Sequence, residues 1–184
     1  MAVMLHGTVG VQHASMAIYQ AYHDQTPIII LVGRDNTFFR QEQTANDIAG
    51  IVRAFTKWDA QPKNLEEALA NIQQAYNEAM TPPRGPTLVI LDTEIQKEEA
   101  GDMSLPIYTP PKISSISNSQ AMKIAEKLAN SNNPRINVGR LRTPNGVKSV
   151  VTLAELSGAS VRTSATNVNM SFPERHPQCG PGKS

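Results

Sequence analysis

Leu5-His6-Gly7-Thr8-Val9-Gly10-Val11-Gln12-His13-Ala14-Ser15-Met16-Ala17-Ile18-Tyr19-Gln20-Ala21-Tyr22, followed by Thr26-Pro27-Ile28-Ile29-Ile30-Leu31-Val32-Gly33, is the stretch from which the fold of this chain is read. An apolar run ends in a glycine-punctuated turn. A helical pattern follows, with Val11, Ala14, Ile18 and Ala21 at helical spacing, and a second apolar run resumes after Pro27. The sequence therefore predicts a strand over 2–5, a helix over 11–24 and a strand over 27–32, the last unbroken enough for burial on both faces. A helix between two such runs is the minimal unit of a parallel sheet. Parallel sheets bind ligands at the strand-to-helix turns, beyond the carboxyl ends of the strands. His6 and His13 fall at that turn.

Outward from this unit, residues 34–46 are polar and irregular around Phe38 and Phe39, a loop suited to reaching over something rather than to packing. Asp47 is placed to cap a short helix through Ala54. Asn64 caps a clearer helix, with Leu65, Ala68, Leu69, Ile72, Tyr76 and Ala79 on one face and Glu66 and Glu67 at the positive end of its dipole. Thr81-Pro82-Pro83-Arg84-Gly85-Pro86 ends it, and Thr87 to Leu91 reads as another buried strand. From Asp92 to Ser119, prolines and charged residues replace periodic apolar ones, the composition of a linker. A second alternation follows: helix 119–129, strand 135–138, helix 146–156, strand 159–162. It stops after about two strands, too few for an independent sheet. The resulting division is residues 1–95, a linker 96–118, and residues 119–184.

Composition bounds the function. Hydrophobic residues make up 40% of the 184 and charged residues 18%, enough to bury an ordinary core. Seventeen basic residues are scattered among sixteen acidic ones for a net charge of +1. No dense positive field is available for nucleic acid or an anionic membrane, and neither partner is expected. The single Cys179 has no internal partner, no apolar run approaches the roughly 20 residues of a membrane span, and the expectation is a cytoplasmic protein.

The ordered series His6-Gly7-Thr8-Val9-Gly10, the Pro27 strand, Lys57-Trp58, Gly85-Pro86-Thr87-Leu88-Val89-Ile90-Leu91-Asp92, Asn133-Pro134-Arg135-Ile136-Asn137-Val138-Gly139 and Phe172-Pro173-Glu174-Arg175-His176-Pro177 resembles thiamine-diphosphate-dependent enzymes of the acetolactate synthase and benzoylformate decarboxylase group. The resemblance implies an α/β fold. Its first part would be the later portion of a doubly wound pyrimidine-binding domain, and its second the truncated start of a Rossmann-like central domain. It further implies decarboxylation or carboligation of a small 2-oxo acid. Thiamine diphosphate and Mg²⁺ would be bound in the complete protein, itself a homodimer or homotetramer.

Carried over residue by residue, the resemblance makes His6 a catalytic histidine that handles protons, a role suited to a group titrating near neutrality. It places Gly10 in the turn before the helix and His13 beside the cofactor. His13 stands where acetolactate synthases usually have asparagine, and Thr44-Ala45-Asn46 lies near their Gln-Glu pair, so the lean is toward another 2-oxo acid chemistry. The family's activating glutamate and its metal- and diphosphate-binding Gly-Asp-Gly segment are not in these residues. The expectation is that the chain alone is inactive. The alternative reading is a non-catalytic binding or assembly module on the same scaffold.

The residues also have plainer readings. His6 can simply end a strand at the surface, His13 can be a solvated helical histidine, and Gly7 and Gly10 can serve the backbone rather than phosphate. Arg140 and Arg142 between Gly139 and Gly146 read as solvated loop residues. Trp58 and Tyr76 read as packing in the core or at a subunit contact. The four histidines show no metal-ligand spacing, and no metal site is expected.

Overall fold

The quoted stretch folds as a parallel strand–helix–strand unit: β1 (Ala2–His6), α1 (Thr8–His23) and β2 (Ile28–Arg34). The structure, a computed structural model, describes residues 1–35, 44–103, 107, 109, 112, 115–141, 143–163 and 170–180. It separates into two compact units, Met1–Ile113 and Ser114–Ser184.

In the first unit β1 and β2 are joined by β3 (Trp58–Ala60) and β4 (Pro86–Asp92) in the order β1-β2-β4-β3, every neighbouring pair parallel. His6 registers with Gly33, Val32 with Ile90, and Trp58 with Thr87. Pro86 to Ile90 are all buried, as expected of a central strand covered on both faces. On one face α1 sets Val11 and Ile18 against Ile30, Val32, Leu88 and Ile90. Ile48, Ala49 and Val52 close the same cluster.

Across the sheet runs α2 (Leu65–Met80), whose cap Asn64 accepts from the Glu67 amide at 2.8 Å. The residues that α2 buries are Ala68, Ala75 and Ala79. Leu65, Leu69, Ile72 and Tyr76, predicted as its core face, are half-buried. Small side chains bring the helix close enough for the buried Thr87 Oγ1 to donate to the Ala75 carbonyl at 3.1 Å, and the larger residues flank that contact. The far end of α2 is closed by Lys57, whose Nζ donates to the Glu78 carbonyl and, at 2.8 Å, to that of Thr81. Partial burial holds the Lys57 pKa below its ordinary value.

Several local predictions are corrected. Helical bonding begins with the Val11 amide on the Gly7 carbonyl at 3.1 Å, so α1 starts at Thr8 and Gly10 lies inside its first turn. Consequently His13 is one turn further along than expected. Asp47 does accept from the Gly50 amide at 2.9 Å, but the chain beyond it makes two 3-10 turns, Ala49–Ile51 and Arg53–Phe55. Trp58, read as packing in the core or at a subunit contact, is a half-buried residue of the edge strand β3. The segment read as linker from Asp92 instead completes β4 and turns into the short helix α3 (Thr93–Lys97), held by Ile95 buried beneath it. Most of the loop 34–46, including Phe38 and Phe39, lies outside the described residues, as does Arg142.

The second unit contains α4 (Asn118–Ala129), β5 (Arg135–Val138), α5 (Pro144–Ser157) and β6 (Ser160–Thr163). Among the described residues its sheet is the parallel pair β5-β6, the two strands that the sequence predicts. Val138, Ala154, Val161 and Phe172 form the core. Arg140, read as solvated, is half-buried. Thr143 caps α5 through the Gly146 amide at 3.1 Å, and Gly158 at φ 65° closes it. Residues 171–180 fold over β6, where Cys179 bridges to Val161.

Candidate functional site

A cleft of about 400 Å³ opens at the carboxyl ends of β1, β2 and β4. That is where a parallel sheet exposes the ends of its strands to ligand. Its position follows from side-chain alternation. Along β1, Val3 and Leu5 are half-buried and Leu5 packs on the α1-side core, while Ala2, Met4 and His6 are exposed and alternate onto the opposite face. On that face α2 covers β4, β2 and β3 and leaves the β1 side open, so Met4, His6, Leu31 and Leu91 line a trough.

His6 is therefore an exposed side chain on the wall of a cleft, the last residue of its strand. Gly10 stands behind it. A Cβ at position 10 would lie 3.4 Å from His6 Cβ and 3.6 Å from Leu5 Cβ, so glycine lets the first turn of α1 close on the end of β1. Gly7, just before, leaves only 3.1 Å between an added Cβ and the Gly33 carbonyl, which keeps β1 and β2 level at the cleft. His13 is exposed on α1 and is not among the lining residues. The structure thus brings His6 and Gly10 together and leaves His13 apart.

The polar residues of the lining are Arg34, Asp35, Thr93 and Gln96, held by neighbours just outside it. Arg34 Nη1 and Asp92 Oδ1 are 3.4 Å apart, Gln61 Nε2 donates to the same oxygen at 3.2 Å, and Thr93 Oγ1 donates to the Arg34 carbonyl at 3.0 Å. Gln96 Nε2 donates to the Leu91 carbonyl at 2.7 Å. The Ala45 amide donates to Thr8 Oγ1 at 2.8 Å, and Thr44 Oγ1 donates to the carbonyl of the lining residue Asp35 at 3.2 Å. These bonds tie residue 45 to the start of α1 and residue 44 to the chain just after β2. Farther out, Arg53 is held by both Asp47 and Asp59. This raises its pKa and holds the Asp47 carboxyl below its ordinary value.

Arg34, Thr93 and Gln96 were not singled out by the sequence, because they fall in stretches read as loop and linker. The usable signal was their place immediately after apolar runs, where the ends of parallel strands must lie. Among the described residues, no group of three or more His, Cys, Asp or Glu is arranged to hold a metal ion. No helix among them is long and apolar enough to cross a membrane.

No protein-family model matches the chain. Among solved structures it is similar to a protein isolated from Mycobacterium smegmatis and provisionally assigned as a thiamin diphosphate-dependent enzyme, with TM-score 0.71 and 27% identity. It is also similar to the thiamine diphosphate-dependent 4-hydroxybenzoylformate decarboxylase of Rhodococcus jostii RHA1, with TM-score 0.78 and 23% identity. Each alignment covers 96% of this chain and 35% of the solved one, so the chain spans about 35% of their length. The α/β fold with a parallel sheet is that of thiamine diphosphate-dependent enzymes over nearly all of these residues.

Proposed function

We propose that this chain forms one wall of the active site of a thiamine-diphosphate-dependent enzyme acting on a 2-oxo acid, closer to benzoylformate decarboxylase chemistry than to acetolactate synthesis. The observation that carries the reading is His6 on the wall of the carboxyl-edge cleft in a sheet of this fold. The cleft fits the aromatic end of the cofactor, since its volume is within the range of small-molecule sites and Met4, Leu31, Gly33 and Leu91 offer an apolar wall. When bound, thiamine diphosphate supplies the electron sink for decarboxylation. His6 gives or takes a proton at the carbonyl oxygen of the 2-oxo acid, and the apolar wall excludes water from it. The diphosphate and Mg²⁺ require oxygen ligands and helix N-terminal donors, which other polypeptide would provide.

Two measurements test this. The chain titrated with thiamine diphosphate and Mg²⁺ should bind no tighter than roughly millimolar, because one wall gains little beyond the cost of immobilising the ligand. The affected NMR signals should be those of His6, Gly33 and Thr93. In a longer polypeptide that contains this chain and turns over a 2-oxo acid, His6→Ala should lower kcat by about 10²- to 10⁴-fold with little change in cofactor affinity. Perturbations confined to residues outside the cleft, or a loss below a few-fold, would return His6 to a plain surface histidine.

A further inference from the structure

His6 registers with Gly33, and Gly33 with Leu91. Partners in a parallel ladder point their side chains to the same face, so His6 and Leu91 flank a position on the cleft face that carries no side chain. Gln96 of α3 covers that gap. A Cβ at Gly33 would lie 3.5 Å from Gln96 Nε2 and 3.9 Å from its Oε1. His6 Cβ stands one strand spacing, ~4.8 Å, from the same point. The amide is fixed in orientation, because Nε2 donates to the Leu91 carbonyl at 2.7 Å and only the NH2 end of the side chain can meet a carbonyl oxygen. Oε1 is left as an acceptor at the cleft, with no protein donor on it among the described residues.

We propose that Gln96 is a positioning residue for His6: when the imidazole is protonated, one ring N–H donates to Gln96 Oε1 across Gly33 and the other faces the ligand. Imidazolium has two donors, whereas the neutral ring has one donor and one acceptor. Only the charged ring can therefore hold an acceptor on one side and still offer a proton to a ligand oxygen on the other. The bond is charge-assisted, so it holds the ring most firmly in the state that gives up a proton. An amide oxygen suits this task better than a carboxylate, whose full charge would keep the proton on the ring through neutral pH. The exposed ring reaches the amide by rotation about its own side-chain bonds. Any side chain at Gly33 would stand between them. The charged groups lining the same cleft are Arg34 and Asp35, with Asp92 held by Arg34 and Gln61 behind them. Glu94 and Lys97 of α3 and His13 of α1 are exposed and lie outside the lining. The contact is a property of the folded chain, and only the use of the proton rests on the enzyme reading above.

NMR titration of the histidine rings in the 184-residue chain, without cofactor, tests the contact. Gln96→Asn keeps an amide but draws it back from Gly33, and should loosen the His6 proton about threefold. Gln96→Glu puts a carboxylate in the same place and should tighten that proton about tenfold, as an opposite charge within ~4–6 Å does. In the Gly33→Ala background the added methyl meets Gln96 Nε2 at 3.5 Å, an ordinary contact that the fold accepts. There the gain from Gln96→Glu should fall below about threefold, a double-mutant cycle that cancels whatever the methyl does by itself. His13 and His23 should titrate alike in every variant, and the Ile95 signals should report an intact α3. A His6 titration unmoved by Gln96→Asn, or the same gain from Gln96→Glu with and without the alanine, would overturn the proposal. The enzyme reading fails separately: in a longer polypeptide that turns over a 2-oxo acid, a His6→Ala variant of undiminished kcat would sink that reading and leave the Gln96 contact standing.

Discussion

Residues 1–113 and residues 114–184 are built from the same alternation of strand and helix, and they arrive at different kinds of core. The first unit has four parallel strands between two layers of helix and turn. Nine side chains form its main buried cluster, from Val11 to Ile90. The second has one strand pair and four buried core residues, and α4 buries none of its residues although Met122, Ile124 and Leu128 are apolar. The lesson is one of numbers. A helix becomes amphipathic from its own sequence, but it hides its apolar face only if enough strands exist to receive it. Two strands leave α4 with Met122 and Ile124 in solvent.

The sharpest way to break the comparison is Phe172→Ala. Phe172 is 1% exposed, the largest side chain of the smaller core, and stacks edge-on to His176 at 5.0 Å. Its truncation should cost about 3–5 kcal/mol, more than a two-stranded unit is expected to hold in reserve. The NMR signals of residues 118–163 should collapse while those of β1, β2 and β4 persist. Loss of both sets together would show one cooperative body. Trypsin digestion should agree, cutting at the exposed Lys97 and Lys112 before degrading the C-terminal part first.

Leu88→Ala is the matching change in the larger core. Leu88 is fully buried in the cluster beneath α1, and about 2–5 kcal/mol should be lost. Here the transition should move to lower denaturant while the sheet still forms. Complete unfolding at zero denaturant would place the two units closer in stability than their cores suggest.

Capping separates the units more finely. Asn64→Ala and Thr143→Ala each remove one side chain-to-amide bond at a helix start, worth about 1 kcal/mol. The same loss is a larger fraction of the smaller unit's margin. Hydrogen exchange should therefore accelerate through all of α5 and β6 in the Thr143 variant, but only in the first turn of α2 in the Asn64 variant.

The smallest expected effect is acid softening near Asp47. Its carboxyl is held below the ordinary value of 3.8, first by the hydrogen bond from Arg53 and then by the Gly50 amide. A depressed carboxyl pKa contributes stability that is fully present above the unfolded value and is lost as pH falls through the folded one. Between about pH 4 and lower values the Gly50 amide should lose protection, and Arg53→Gln should shift that loss upward in pH. An unshifted profile would remove Arg53 as the cause.

What the sequence determined by itself was local. Helical spacing at Val11, Ala14, Ile18 and Ala21, the cap at Asn64, and the unbroken runs at 28–32 and 87–91 are set by neighbours within a turn or two, and these elements stand where they were read except that α1 begins three residues earlier, at Thr8. His6 at a strand end was legible for the same reason. Tertiary structure decided the rest. The order β1-β2-β4-β3, the insertion of Trp58–Ala60 as an edge strand and the helical turn after Asp92 all depend on pairings across tens of residues, which local periodicity does not encode. Most consequentially, Met4 and His6 differ from Val3 and Leu5 only by the two-residue alternation of a strand, and whether that face is core or cleft depends on which β-strands α2 covers. The cleft exists because helix α2, seated on β4 by its alanines, stops short of β1.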